Sequence, residues 1–183
     1  MKDENHRKFA IEIFRKYTLD QLNFKSYKVI DFDDDQYLPY PEWKNCVYVL
    51  RIGSNRDKHF SLTSIPNRND RKEILYIGGH KSGKNTGRYN KLIKSAKDAE
   101  EFYRKNNYAT NDMEFGHSVG SCLTTSLLDV GFSISDCTID LIESGKMYDE
   151  LELIIGYQET FHHLPPWNSL REGVCCYGAI HRR

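Results

Sequence analysis

The stretch LYIGGHKSGKNTGRYNKLI, Leu75 to Ile93, carries an apolar run into glycines and cations and then into a helical pattern. Gly78 to Asn85 reads G-G-H-K-S-G-K-N, close to the nucleotide-binding template G-x-x-x-x-G-K-[ST]. The final position fails, because Asn85 has no hydroxyl to offer Mg²⁺. Such a loop also needs a partner strand ending in a metal-binding aspartate. The nearest candidate, Asp140, lies inside the run TIDLI instead of at its end. Both arguments turn the reading away from a nucleotide-binding loop, yet the residue types still suit a phosphate.

From Lys81 to Lys97 there are six Lys or Arg and no acid. Lys81, Lys84, Arg88, Lys91 and Lys94 recur at threes and fours, so they line a similar face as the helix begins. That pattern suits either a solvated basic face or a track for a nucleic-acid backbone. Arg88, at the helix start, can pair with a phosphate through its planar fork, and the free N–H groups there favour the same anion. Upstream, Asn67, Arg68, Asn69 and Arg71 could add base-edge contacts, since Arg suits guanine and Asn adenine. His162 and His163 with Glu159 make a poor metal set, lacking a further ligand nearby.

An ordered set of residues completes the picture. Tyr76-Ile77-Gly78 sits on one apolar run, and Cys46-Val47-Tyr48 on the run before it. Arg88 opens the following helical pattern. Glu150 precedes Leu153-Ile154 and Tyr157, and Pro165-Pro166-Trp167-Asn168 follows. In this order and spacing, residues 45 to 170 resemble the GIY-YIG nuclease family, with Cys-Val-Tyr a degenerate form of the first tripeptide. The resemblance implies Mg²⁺-dependent (or Mn²⁺-dependent) hydrolysis of a phosphodiester. It also implies roles: Tyr48 and Tyr76 at the water and the phosphate, Arg88 on the phosphate, Glu150 on the metal, and Asn168 fixing the C-terminal segment within the site. A tyrosine hydroxyl beside a metal and an arginine can have its pKa lowered, so Tyr48 and Tyr76 are expected to help move a proton. Ordinary roles remain open for each residue: strand aromatics for the tyrosines, an exposed cation for Arg88, a helix-dipole partner for Glu150.

The chain departs from the family pattern in places. The family often has a His or Tyr one turn after the arginine, where this chain has Leu92. His80, just past the YIG tripeptide, is the candidate substitute, against the reading of a surface histidine. The gaps from Tyr48 to Tyr76 and from Tyr157 to Pro165 are also longer than the family's.

These residues need elements to hold them. Residues 46–53 (CVYVLRIG) and 73–79 (EILYIGG) are compact β-branched and aromatic runs, expected as strands paired in an antiparallel hairpin. Gly87-Arg88 opens a helix to about Lys105, its apolar face marked by Tyr89, Leu92, Ile93, Ala96, Ala99, Phe102 and Tyr103. A short buried helix is expected within 110–131, and a third strand over 134–144. Asp149 can cap a helix over ELELIIGYQETF, which should stop near Pro165. On that helix positions 150, 154, 157 and 161 share a face, so Glu150 stands at the end of the face that packs on the sheet. Glu152, pointing away, is the fallback carboxylate.

The order predicts an α+β fold: a small, mainly antiparallel three-stranded sheet flanked by helices. An N-terminal extension, residues 1–45, precedes a nuclease-like domain, 46–183. The extension holds an amphipathic helix over 4–18, with Phe9, Ile13 and Tyr17 at intervals of four, and an acidic, proline-punctuated loop.

Composition narrows the class further. Of 183 residues, Lys+Arg and Asp+Glu number 26 each, so a uniformly basic nucleic-acid binder is excluded while a local basic face is not. Five cysteines without a CxxC pair argue against a zinc site or disulfide framework and suit a reducing cytoplasm. No apolar run approaches the roughly 20 residues of a membrane helix.

The expectation is therefore a Mg²⁺-dependent endonuclease acting on double-stranded DNA, of restriction type because no separate DNA-binding domain fits. A palindromic target would call for a homodimer. Its alternatives are a repair or mobile-element nuclease of the same family and a non-catalytic nucleic-acid-binding module.

Overall fold

The computed structural model describes residues 8, 11–12, 24–31, 45–52, 74–81, 88–106, 120, 124, 127–128, 131–143, 150–162, 164–165 and 168. Lys8, Ile11 and Glu12 are helical, within the N-terminal helix expected from sequence; its other residues lie outside this set.

Asn45–Ile52 (β2) and Ile74–Lys81 (β3) form the expected antiparallel pair, with Tyr48 opposite Gly78 and Val47 opposite Gly79. Cys137–Glu143 (β4) pairs with the other side of β2, again antiparallel. Among the described residues the sheet has four strands and not three. Phe24–Lys28 (β1) pairs antiparallel with β4, giving the order β1-β4-β2-β3. Part of the N-terminal extension is thus built into the sheet. The sequence FKSYK hides this strand because it lies at an edge, and four of its five residues are exposed. Edge strands with lysines carry little apolar alternation to read. All pairings are antiparallel, unlike the parallel sheet a nucleotide-binding loop requires.

Two apolar clusters cover the two faces. Tyr48, Leu50, Tyr76, Ile139 and Leu141 pack with Tyr89, Leu92, Ile93 and Ala96 of the helix Arg88–Lys105 (α1). Val47, Val49, Ile77 and Ile142 pack with Leu153 and Tyr157 of the helix Glu150–Phe161 (α2). β2 is central and buried on both faces, which is why its sequence reads as a continuous apolar run. A register shift between Leu50 and Arg51 leaves Leu75 as an extra residue in β3. Both helices match the expected spans. α2 ends before Pro165, at His162, whose φ of 65° is the left-handed turn that terminates helices. Gly120, Thr124, Leu127 and Leu128 are helical, inside the stretch expected to hold a short buried helix. No helix among the described residues is long and apolar enough to cross a membrane.

Candidate active site

The site is built around two adjacent glycines near the end of β3. Successive strand residues point to opposite faces, so Gly78 and Gly79 open a gap on each side of the sheet. On the α1 face, the Tyr48 ring fills the space over Gly78: a Cβ there would lie 2.6 Å from the ring's Cε2. On the α2 face, Glu150 fills the space over Gly79. A Cβ there would meet Glu150 Oε2 at 2.5 Å and Glu150 Cβ at 2.7 Å. Arg88, at the first position of α1, directs Nη1 to the Gly79 carbonyl oxygen at 3.4 Å. That is long for a hydrogen bond, so the exposed guanidinium rests against the strand without being consumed by it. Two helices on opposite faces therefore deliver a carboxylate and a guanidinium to one peptide of the edge strand.

Tyr48 lies beneath this point, 0% exposed. Its ring centroid is 5.9 Å from that of Tyr76 and 6.0 Å, edge-on, from that of Tyr89. The buried Tyr48 hydroxyl has no hydrogen bond of standard geometry among the described residues, although Tyr76 interacts with it. Burial pushes the Tyr48 hydroxyl well above its usual pKa, Tyr76 and Glu150 push the same way, and Arg88 opposes them. The protein around Tyr48 thus works against the lowered pKa expected from sequence. Removing the phenol from water disfavours tyrosinate more than one nearby arginine favours it.

The remaining candidates separate into three groups. Asn168 takes no visible part in chemistry. Its Oδ1 accepts from Ile77 N–H at 2.8 Å and its Nδ2 donates to Ile77 O at 2.7 Å. The amide thus imitates a neighbouring strand on the free edge of β3 and ties the C-terminal segment to the residue before Gly78. Lys91 and Lys94 are exposed on α1, as a backbone track requires, but Lys94 pairs with Asp98 at 3.2 Å. His80 and Lys81 are placed as backbone only: both are in β3, opposite Cys46 and Asn45. Their side chains lie outside the described set, as do Lys84, Arg68, Arg71 and His163. Leu92 is fully buried, so the position one turn after Arg88 belongs to the core. Glu152, the fallback carboxylate, is half-buried with one oxygen out of solvent.

Several residues escaped the sequence reading. Gly79 did, although two adjacent glycines inside an apolar strand signal a close approach. So did the buried Asp140. It receives Arg51 Nε at 2.7 Å, Arg51 Nη2 at 3.3 Å and Ser26 Oγ at a short 2.5 Å. A charge inside each of CTIDLIE and NCVYVLRI was the available sign of this pair.

Among the described residues no group of three His, Cys, Asp or Glu could hold a metal. Among the described residues the donor set at Gly79 is one carboxylate, Glu150. That fits Mg²⁺, which binds through one or two carboxylates and keeps most of its waters, better than it fits Zn²⁺ or Ca²⁺. No family model, curated protein or solved structure matches the chain.

Proposed function

We propose that the chain is a Mg²⁺-dependent DNA endonuclease of the GIY-YIG kind, with restriction-type cleavage as its role. The observation that carries the reading is the meeting of Arg88 and Glu150 at the Gly79 peptide, with Tyr48 against Gly78. Three residues ordered as in that family, Tyr48, Arg88 and Glu150, approach the two adjacent glycines at one end of one strand.

Each side chain has work there. Glu150 would hold Mg²⁺, which when bound supplies a Lewis acid for the phosphate and lowers the pKa of its water. Arg88 pairs with the scissile phosphate and offsets the charge that grows as the water adds. Tyr48 keeps its proton, so its buried hydroxyl is a hydrogen-bond donor within the floor of the site and not the base. Tyr76, next to it, closes the apolar floor that shields the reacting centre. Asn168 holds β3 in place from its outer edge. Lys91 and Lys94 meet the flanking backbone of duplex DNA.

The alternative is a non-catalytic nucleic-acid-binding module. Such a module gains from Arg88 and the lysines but not from a carboxylate beside the phosphate seat, which repels DNA. Glu150 therefore favours catalysis. The test is cleavage of mixed-sequence duplex DNA with Mg²⁺, beside gel shifts in EDTA. Glu150→Ala should abolish cutting while DNA binding persists. Arg88→Lys should cut about 100-fold more slowly, because lysine lacks the fork that stabilises the developing charge. A wild type that binds DNA but cuts no substrate would favour the binding module.

A further inference from the structure

We propose that Gly79 is a positioning residue: its missing side chain is what lets the Glu150 carboxylate reach the end of β3 and stand beside Arg88. The proposal deepens the nuclease reading and rests on it for its effect on cleavage. Gly79 lies outside the tyrosine, arginine and glutamate set from which that reading grew.

The backbone gives no reason for a glycine here. Gly79 sits in a regular antiparallel pairing opposite Val47, and its φ is not positive. A glycine inside a strand costs about 0.5–1 kcal/mol relative to alanine. Its reason is therefore space, and the space is taken by one residue: the atoms nearest to a Cβ at Gly79 all belong to Glu150. The closest two differ in kind. Oε2, at 2.5 Å, is the far end of a flexible arm and could rotate away. Cβ, at 2.7 Å, is fixed to the helix backbone and cannot. Reaching an ordinary contact of 3.4 Å would require the start of α2 to retreat from β3. Leu153, Gly156 and Tyr157 pin the next turns of α2 in the core, so the retreat falls on the first turn, where Glu150 is. Gly79 also presents the carbonyl on which Arg88 rests, so one residue sets the stance of both charged groups.

The test is a thermal cycle joined to metal binding and cleavage, on the full chain. Gly79→Ala, Glu150→Gly and the double variant are melted without metal. Alanine should lower Tm by roughly 3–10 °C when Glu150 is present. It should lower it little, or raise it, in the Glu150→Gly background, where both clashing atoms are gone. Titration with Mn²⁺ alone should show at least about tenfold weaker binding in Gly79→Ala. Cleavage should fall roughly 100-fold, as expected for a displaced catalytic group, with DNA binding in EDTA unchanged. Equal effects of alanine in both backgrounds would show that it does not meet Glu150, and would overturn the proposal. So would a coupled Tm with undiminished Mn²⁺ binding and cutting. If Gly79→Ala alone fails to fold, recovery of folding in the double variant supports the contact, and failure to recover sinks it. A wild type that neither binds Mn²⁺ nor cuts removes the nuclease reading and the catalytic half of this proposal. The thermal cycle still decides whether Gly79 seats Glu150.

Discussion

Tyr48 illustrates how burial decides between two electrostatic effects. Arg88 favours the tyrosinate, but loss of water disfavours it more strongly, and Tyr76 and Glu150 add to the penalty. Cys46, on the same strand, behaves alike: burial raises its thiol from 9.0 to about 11. Both groups are neutral when protonated and charged when not, so the folded state holds protons that the unfolded chain releases. Their contribution to stability is complete below the unfolded values, near 9 for Cys46 and near 10 for a tyrosine. It is lost as pH climbs from there towards the folded values. We expect denaturant midpoints to fall as pH rises above about 9, and Cys46→Ala and Tyr48→Phe each to flatten that fall. A midpoint flat from pH 8 to pH 11 would show that neither group is held protonated by the fold. In cleavage, Tyr48→Phe should lower the rate without changing the shape of the pH profile below about 10, because the lost group is a donor and not a base. A missing basic limb in the Phe variant would restore Tyr48 as the base.

At the scale of elements, what was legible from sequence followed from periodicity. α1 and α2 show long apolar faces, and β2, β3 and β4 are buried enough to read as apolar runs. β1 shows neither, because an edge strand mostly in solvent can be written in polar residues. Backbone pairing to β4 attaches it, with Tyr27 packed on the core and one buried charge, Asp140, which joins Ser26 of β1 to Arg51 of β2 across the strand between them. The site divides in the same way. Tyr48, Arg88 and Glu150 could be singled out as candidates because residue type and order carry chemical meaning. Gly79 was not, because the meaning of a glycine lies in what approaches it, and Glu150 is 71 positions away. The Asp140 pair gives this scale its prediction. Asp140 is fully buried and Arg51 three-quarters so, and removing one partner takes away the closest opposite charge of the other. Asp140→Ala should cost about 3–5 kcal/mol in denaturant unfolding. Replacing Asp140 and Arg51 together with apolar residues should cost much less. Protection of β1 amides from hydrogen exchange should fall first in the single variant. Equal losses in the single and double variants would mean that the pair does not act as a unit.

Over the whole molecule, net charge is zero, so the proposed binding of DNA would have to draw on local imbalance. α1 shows where that imbalance lies. Its first ten residues carry Arg88, Lys91, Lys94 and Lys97, and its last eight carry Asp98, Glu100 and Glu101 with Arg104 and Lys105. Arg104 and Lys105 are engaged one turn back, by Glu100 and Glu101. The far end of the helix is thus neutralised from within, and the positive field is concentrated beside the Gly79 site. Lys94 stands at the border, shared with Asp98 in an exposed pair. Exposed pairs of this spacing are worth only about 0.3–0.5 kcal/mol, so Asp98 weakens the local field without locking the lysine away from DNA. The order of effects follows. Lys91→Gln should flatten the slope of log K against log salt by about 0.9, the value for one lost phosphate contact. Lys94→Gln should flatten it less, because part of its charge is already answered. Asp98→Asn should tighten binding and steepen the slope by freeing Lys94. All three changes should act alike on every duplex sequence, since phosphate contacts carry no base information. The measurement is a series of gel shifts or anisotropy titrations between low and moderate salt, in EDTA so that no cleavage intervenes. Slopes that do not respond to Lys91 would take the exposed lysine face of α1 out of the DNA path and leave the described surface of the site to Arg88. A response confined to one DNA sequence would move Lys91 from the backbone to a base edge.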